Sequence, residues 1–178
     1  MNSSRTTRRI AIVALFLIAA FVPVFAANPD TATITVVGHV TPSISITATY
    51  IPGLDLDIMQ GADKVAIANV TEFSNYKGGY AVTLGSTRGW KLGQTTSGSG
   101  TESWAYTLYY GTVGGTKNPV TLPTTGEATL TAQTGTSGKS SGGGTAKVLY
   151  ISFLPPTNSD TLNADTYNDT LVFTITGT

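Results

Sequence analysis

Apolar and polar residues alternate singly along much of this chain, most cleanly near its two ends. In Ala32-Thr33-Ile34-Thr35-Val36-Val37-Gly38-His39-Val40, the residues Ala32, Ile34, Val36, Gly38 and Val40 share one face. In Asp169-Thr170-Leu171-Val172-Phe173-Thr174-Ile175-Thr176, Leu171, Phe173 and Ile175 do the same. Side chains alternate across a strand, so each stretch predicts a β-strand with one apolar and one Thr-rich face. The first strand is expected over 31–40. Pro42 interrupts it and marks an edge or a switch of sheet, since proline cannot donate to a ladder. Ile44 and Ile46 continue the alternation beyond it.

Further strands are predicted at Leu54-Asp55-Leu56-Asp57-Ile58 and over 65–73, 80–84, 104–110, 128–131 and 147–153. Turn signals separate them: Pro52-Gly53, Lys77-Gly78-Gly79, Ser97-Gly98-Ser99-Gly100, Val113-Gly114-Gly115 and Pro155-Pro156. No amphipathic helix is evident. Short strands between turn signals predict an all-β sandwich or barrel. On the aromatic strand, Trp104, Tyr106, Leu108 and Tyr110 share a face that is expected to be core, because a leucine lies among the rings. The Gly/Ser-rich stretch 135–144 reads as a loop between two strands of one domain.

The N-terminus adds a targeting segment. Arg5, Arg8 and Arg9 precede an apolar run over 10–25, and Val24-Phe25-Ala26 has small residues at the cleavage-site positions. These three parts predict a signal peptide over 1–26, cleaved after Ala26. Pro23 and the short run argue against a membrane anchor, so no span is expected after cleavage. What remains, 27–178, is one domain's worth of chain. A domain of that size buries about 68–70% of its unfolded surface, enough to stand without disulfides. The chain has no cysteine with which to form them.

Cleavage removes three basic residues and no acidic ones, leaving a formal charge of −3 on 27–178. No basic patch remains to attract nucleic acid or an anionic membrane. Only 11% of residues are charged. A Thr- and Ser-rich sheet surface stays soluble at that charge density and forms cross-strand ladders.

Candidate chemistry is sparse, and no cofactor is expected. The single histidine, His39, falls on the Thr-rich face of the first strand, with no nucleophile elbow to serve. The Gly/Ser-rich stretch Thr134-Gly135-Thr136-Ser137-Gly138-Lys139-Ser140 lacks the first glycine of a phosphate loop and any following helix. Asp160, Asp165 and Asp169 lie in the Asn-rich connection 158–169. Oxygen-rich loops of that kind either hold calcium or make turns. Asp55 and Asp57 share one strand face and read as solvated. Among the aromatics, Trp90 and Tyr109 are candidates to contact a sugar from the surface.

Three stretches resemble the immunoglobulin-like β-sandwich subunits of bacterial surface fibres, the fimbrial pilins and spore-coat-U-type secreted domains. Residues 33–42 resemble the pilin N-terminal donor strand running into the first strand of the domain. Ser74-Asn75 followed by Gly79-Tyr80-Ala81-Val82-Thr83-Leu84 is similar to a central hairpin of such domains. Residues 162–175 are similar to their tyrosine-bearing closing loop and last strand. The absence of cysteine places the resemblance with the cysteine-free branch.

The resemblance implies an immunoglobulin-like Greek-key sandwich and a non-enzymatic structural subunit or adhesin. It also implies a secreted location, in the periplasm, at the cell surface or in an extracellular fibre. In that family a missing strand in one subunit is supplied by the next subunit's N-terminal extension, after delivery by a periplasmic chaperone. The self-association strand would then be Ala32, Ile34, Val36, Gly38 and Val40. The alternative is a monomeric carbohydrate-binding module that uses Trp90 and Tyr109.

Overall fold

The structure, a computed structural model, describes residues 32–95, 102–134, 140, 142–158 and 162–178. The expected signal peptide lies outside the described residues, as does most of the Gly/Ser-rich stretch 135–144 with its phosphate-loop look-alike. Among the described residues eleven strands follow in chain order: β1 Ile44–Tyr50, β2 Ala62–Ser74, β3 Gly79–Ser86, β4 Lys91–Gln94, β5 Ser103–Ala105, β6 Thr107–Thr112, β7 Asn118–Pro119, β8 Ala128–Thr134, β9 Thr145–Phe153, β10 Tyr167–Asn168 and β11 Leu171–Gly177. The described residues contain no helix long and apolar enough to cross a membrane.

All the pairings are antiparallel. A large sheet has the order β1-β2-β9-β6-β7, a second β11-β3-β8, and a small third β10-β4-β5. The expected all-β sandwich is therefore what forms. Its order β1-β2-β9-β6 reproduces the A-B-E-D sheet of the immunoglobulin plan, and β11 beside β3 reproduces F beside C. That plan places a further strand, G, along the other edge of F. Among the described residues no strand pairs with that edge of β11.

The core lies between the two larger sheets. Val70, Leu108, Leu149, Ile151 and Phe153 come from the large sheet, and Leu84 and Ala128 from the second. The face predicted on the aromatic strand holds: Tyr106, Leu108 and Tyr110 are buried, and Trp104 is half-buried against them. The strand itself is two strands. β5 pairs with β4 in the small sheet, whereas β6 pairs with β9 in the large one. Tyr106 sits at the switch.

Two other expectations are corrected. Leu54, Leu56 and Ile58 point inward while Asp55 and Asp57 are exposed, so the alternation is real, but 54–58 forms no ladder. Asp57 explains why: its carboxylate accepts the Met59 N–H and the Gln60 side-chain amide, turning the chain before a ladder can start. The turn closes at Gly61 with φ +75, where a Cβ would stand 2.8 Å from the Pro155 ring. The second concerns 31–40: residues 32–42 carry no strand assignment, although their alternation is strand-like.

One carboxylate ties the two sheets together. Glu72 of β2 is fully buried, and it accepts hydroxyls from Tyr110 of β6 at 2.8 Å, Tyr80 of β3 at 3.0 Å and Thr131 of β8 at 2.8 Å. Three hydroxyl donors replace the water that a buried charge loses. Burial first, then the Glu72 charge and hydrogen bond, push the Tyr80 hydroxyl up to about 12. The same causes push Tyr110 upward. An unfolded tyrosine titrates near ~10, so the folded chain holds these protons more tightly. Their contribution to stability is complete below about pH 10 and is lost as pH rises through about 12. Thermal melts across that window should show a falling midpoint, and the fall should be smaller when Tyr80 and Tyr110 are replaced by Phe. A midpoint that stays level across the window, or that falls equally in the Phe variants, would contradict the network.

Candidate functional site

The sandwich is open along one side. β1 and β11 are edge strands of different sheets, and they approach each other there. Their inner faces are apolar but incompletely covered. Ile44 and Ile46 of β1 are half-buried, Ala48 is exposed, and Tyr50 is 59% exposed. Leu171, Phe173 and Ile175 of β11 are likewise only half-buried. Residues at these positions in a closed sandwich would be core.

A groove of about 1110 Å³ opens where the Tyr50 end of β1 meets the Leu171 end of β11; its apolar floor includes Ala48, Ile67, Leu149, Ile151, Leu171 and Phe173, and the connections 54–59 and 162–170 line its sides. The alternating segment 54–58 forms part of its rim, tied down by the Tyr50 hydroxyl donating to the Leu54 carbonyl at 2.8 Å. The bulged stretch of β2 at Ala66/Ala68 turns Ile67 toward the floor. The groove thus has an apolar floor, and beside it β11 has an edge that no strand pairs with among the described residues. Such an edge is a template for a further strand.

The end of the groove where β11 begins is fixed by Asp169. Its carboxylate accepts the Ser86 hydroxyl at 2.5 Å, the Tyr106 hydroxyl at 2.6 Å and the Arg88 N–H at 3.1 Å. Burial, then the hydrogen bond and charge of Asp169, raise the Tyr106 hydroxyl well above the usual phenol range. The neighbouring loop is held by Glu102, which accepts the Asn163 backbone N–H at 2.7 Å and the Tyr167 hydroxyl at 2.8 Å. Asp169 therefore serves as a brace. No group of three or more His, Cys, Asp or Glu among the described residues is placed to hold a metal ion.

The residues singled out in the sequence fall in three places. Ala32, Ile34, Val36, Gly38 and Val40 are all exposed and have no ladder partner; Ile34 is 86% exposed and Val36 89%. Solitary exposed apolar residues are ordinary, but here Ile34, Val36, Val37 and Val40 are exposed close together in the chain. His39 is exposed within the same run.

Trp90 is not on the surface. It is buried in the core, and its backbone N–H donates to Ser86 Oγ at 2.7 Å. Gly89 and Trp90 both have positive φ, +63 and +65 respectively, and that tight turn carries the indole inward. Trp90 is thereby removed as a surface ligand contact.

Tyr109 is half-buried on the outer face of β6, with the Lys64 ammonium 5.0 Å from its ring centroid. It shares a shallow groove of about 710 Å³ with Trp104, Asp63, Lys91 and Ser152. Trp104 takes the place expected of Trp90 there; its indole N–H donates to the Leu154 carbonyl at 2.8 Å.

The groove itself is not visible in the sequence. Its two walls were each read as strands, but only the fold brings β1 and β11 together. Glu72 carried a usable signal, as the one acid inside the apolar run 65–73. The sequence matches no protein-family model and no curated protein, so the groove's geometry is what bears on function.

Proposed function

We propose that this protein is a secreted structural subunit of a surface fibre or adhesin and self-associates by β-strand addition. Residues 32–40 of one copy fill the groove between β1 and β11 of another. The observation that carries this reading is the pairing of an apolar groove that lacks a strand with an exposed segment that has a strand's alternation but no sheet. Ile34, Val36 and Val40 would enter the groove, and Gly38 would permit close backbone approach. At ~1.5–3 kcal/mol for each of the larger side chains, burial contributes a gross ~5–9 kcal/mol before association costs. Main-chain bonds along β11 add to it.

Cleavage after Ala26 would expose Ala27 as the new N-terminus and deliver the segment outside the cytoplasm. A periplasmic chaperone that covers the groove until assembly suits a subunit with so much apolar edge.

The mature chain should polymerise on concentration, as followed by light scattering. Ile34→Asp or Val36→Asp should abolish polymers, because burying an unpaired carboxylate costs several kcal/mol. The monomer's melting midpoint should not move, since both side chains are exposed in it. A subunit lacking 27–40 should stay monomeric and gain stability when a free peptide of 27–41 is added. Strictly monomeric wild type at high concentration, with no response to the peptide, would overturn the reading.

A second reading rests on the Trp104–Tyr109 groove. Two aromatic rings flanked by a carboxylate, an ammonium and hydroxyls suit a pyranose, whose C–H face stacks on rings while its hydroxyls bond the polar groups. Glycans that bind should quench tryptophan emission, and Tyr109→Ala should remove the quenching without changing the melt by more than about 1 kcal/mol. Absence of quenching across a glycan panel, or quenching that survives Tyr109→Ala, would contradict this reading.

A further inference from the structure

Residues 32–40 precede β1 directly, and β1 is itself one wall of the groove. A segment so placed has two destinations, the groove of another copy or that of its own chain. Its own groove requires the backbone to reverse between Val40 and Ile44, so that the segment returns alongside β1. What holds residues 41–43 therefore decides which destination is open.

Asn75 holds them. Its side-chain amide donates to the Thr41 carbonyl at 3.0 Å, and its Oδ1 accepts the Ser43 N–H at 2.6 Å. Its backbone N–H donates to the Ser43 carbonyl at 3.0 Å, extending the Ile44–Ser74 register by one rung. The two side-chain bonds straddle Pro42, which has no N–H and could not continue the ladder itself. Asn75 thus supplies through its side chain the pairing that proline removes.

The clamp is mounted on a rigid support. Ser74, the last residue of β2, is fully buried; its N–H donates to Ser140 Oγ at 3.0 Å and its carbonyl accepts the Ser140 N–H at 2.8 Å. On the other side the Tyr76 N–H donates to Ser74 Oγ at 3.2 Å. Reversing the chain at 41–43 would break the three bonds to Asn75 while Asn75 stayed in place.

We infer that Asn75 is a positioning residue that keeps the segment from closing on its own groove and so commits it to another copy of the chain. The inference rests on the strand-addition reading above. Self-closure has a strong advantage to overcome, since a tethered segment acts at millimolar effective concentration. A subunit that polymerises needs some device against it.

The test uses the mature full-length chain as wild type, Asn75→Ala and Asn75→Asp, each refolded from denaturant at low concentration. Size exclusion with light scattering gives the monomer share, and titration with the free 27–41 peptide reports whether the groove is open. Wild-type monomer should bind the peptide and polymerise on concentration. Asn75→Ala should give more monomer, and that monomer should bind the peptide about tenfold more weakly, because only the open fraction is competent. Asn75→Asp retains the acceptor for the Ser43 N–H and loses the donor to Thr41, so it should fall between.

If Asn75→Ala lowers the melting midpoint but leaves the monomer share and peptide affinity as in wild type, Asn75 is only a turn residue and the inference fails. If wild type neither polymerises nor binds the peptide, the strand-addition reading fails and the clamp goes with it. The two failures are thus distinct.

Discussion

The open edge of β11 is the constraint on which the rest depends. A sandwich is stable when both sheets bury their inner faces and both edges are paired, covered or blunted. Here Leu171, Phe173 and Ile175 face inward from a strand whose other edge has no partner among the described residues, opposite a β1 whose Ala48 and Tyr50 are exposed. The fold's remaining stability is not in doubt on packing grounds, because Leu84, Leu108, Leu149 and Val70 are fully buried between the sheets. In the proposed strand addition this edge would take one strand with apolar residues at every second position, and Ala32, Ile34, Val36 and Val40 have that spacing.

A groove of this kind is useful only if its walls hold their separation when empty. Two buried or half-buried carboxylates provide the bracing. Glu72 draws hydroxyls from β3, β6 and β8 and so links the sheets across the core. Asp169 ties the start of β11 to the end of β3 and to the Tyr106 switch. Hydroxyl donors let a chain with few charges and no cysteine do this work, where many small secreted domains would use disulfides. Each network is satisfied on several sides, the condition under which buried polar groups rigidify a core.

Much of the sandwich was legible because its signal is local. A period of two identifies a strand and its inward face, and this was sufficient for β3, β9, β11 and the burial of Tyr106, Leu108 and Tyr110. The failures have local causes too. The 54–58 segment alternates like a strand, but the Asp57 turn ends it before any ladder forms. The aromatic run is split at Tyr106, since the alternation continues unbroken while the hydrogen-bond partner changes from β4 to β9. Trp90 was misplaced because two consecutive positive-φ residues reverse the direction in which its side chain points. The small sheet escaped notice because β4, β5 and β10 are too short for alternation to show. The groove lay beyond reach for a different reason: it forms from β1 and β11, at opposite ends of the domain, and no local pattern encodes that meeting.

Amide hydrogen exchange on isotopically labelled subunit, with and without unlabelled 27–41 peptide, probes the central claim most directly. The β11 N–H groups that point away from β3 have no ladder partner among the described residues. They should exchange rapidly alone and become strongly protected once a strand is added, while β6 and β9, deep in the large sheet, stay unchanged. If those β11 amides are already protected in the free monomer, or remain unprotected at saturating peptide and in any polymer, the edge is not an acceptor and the account is wrong.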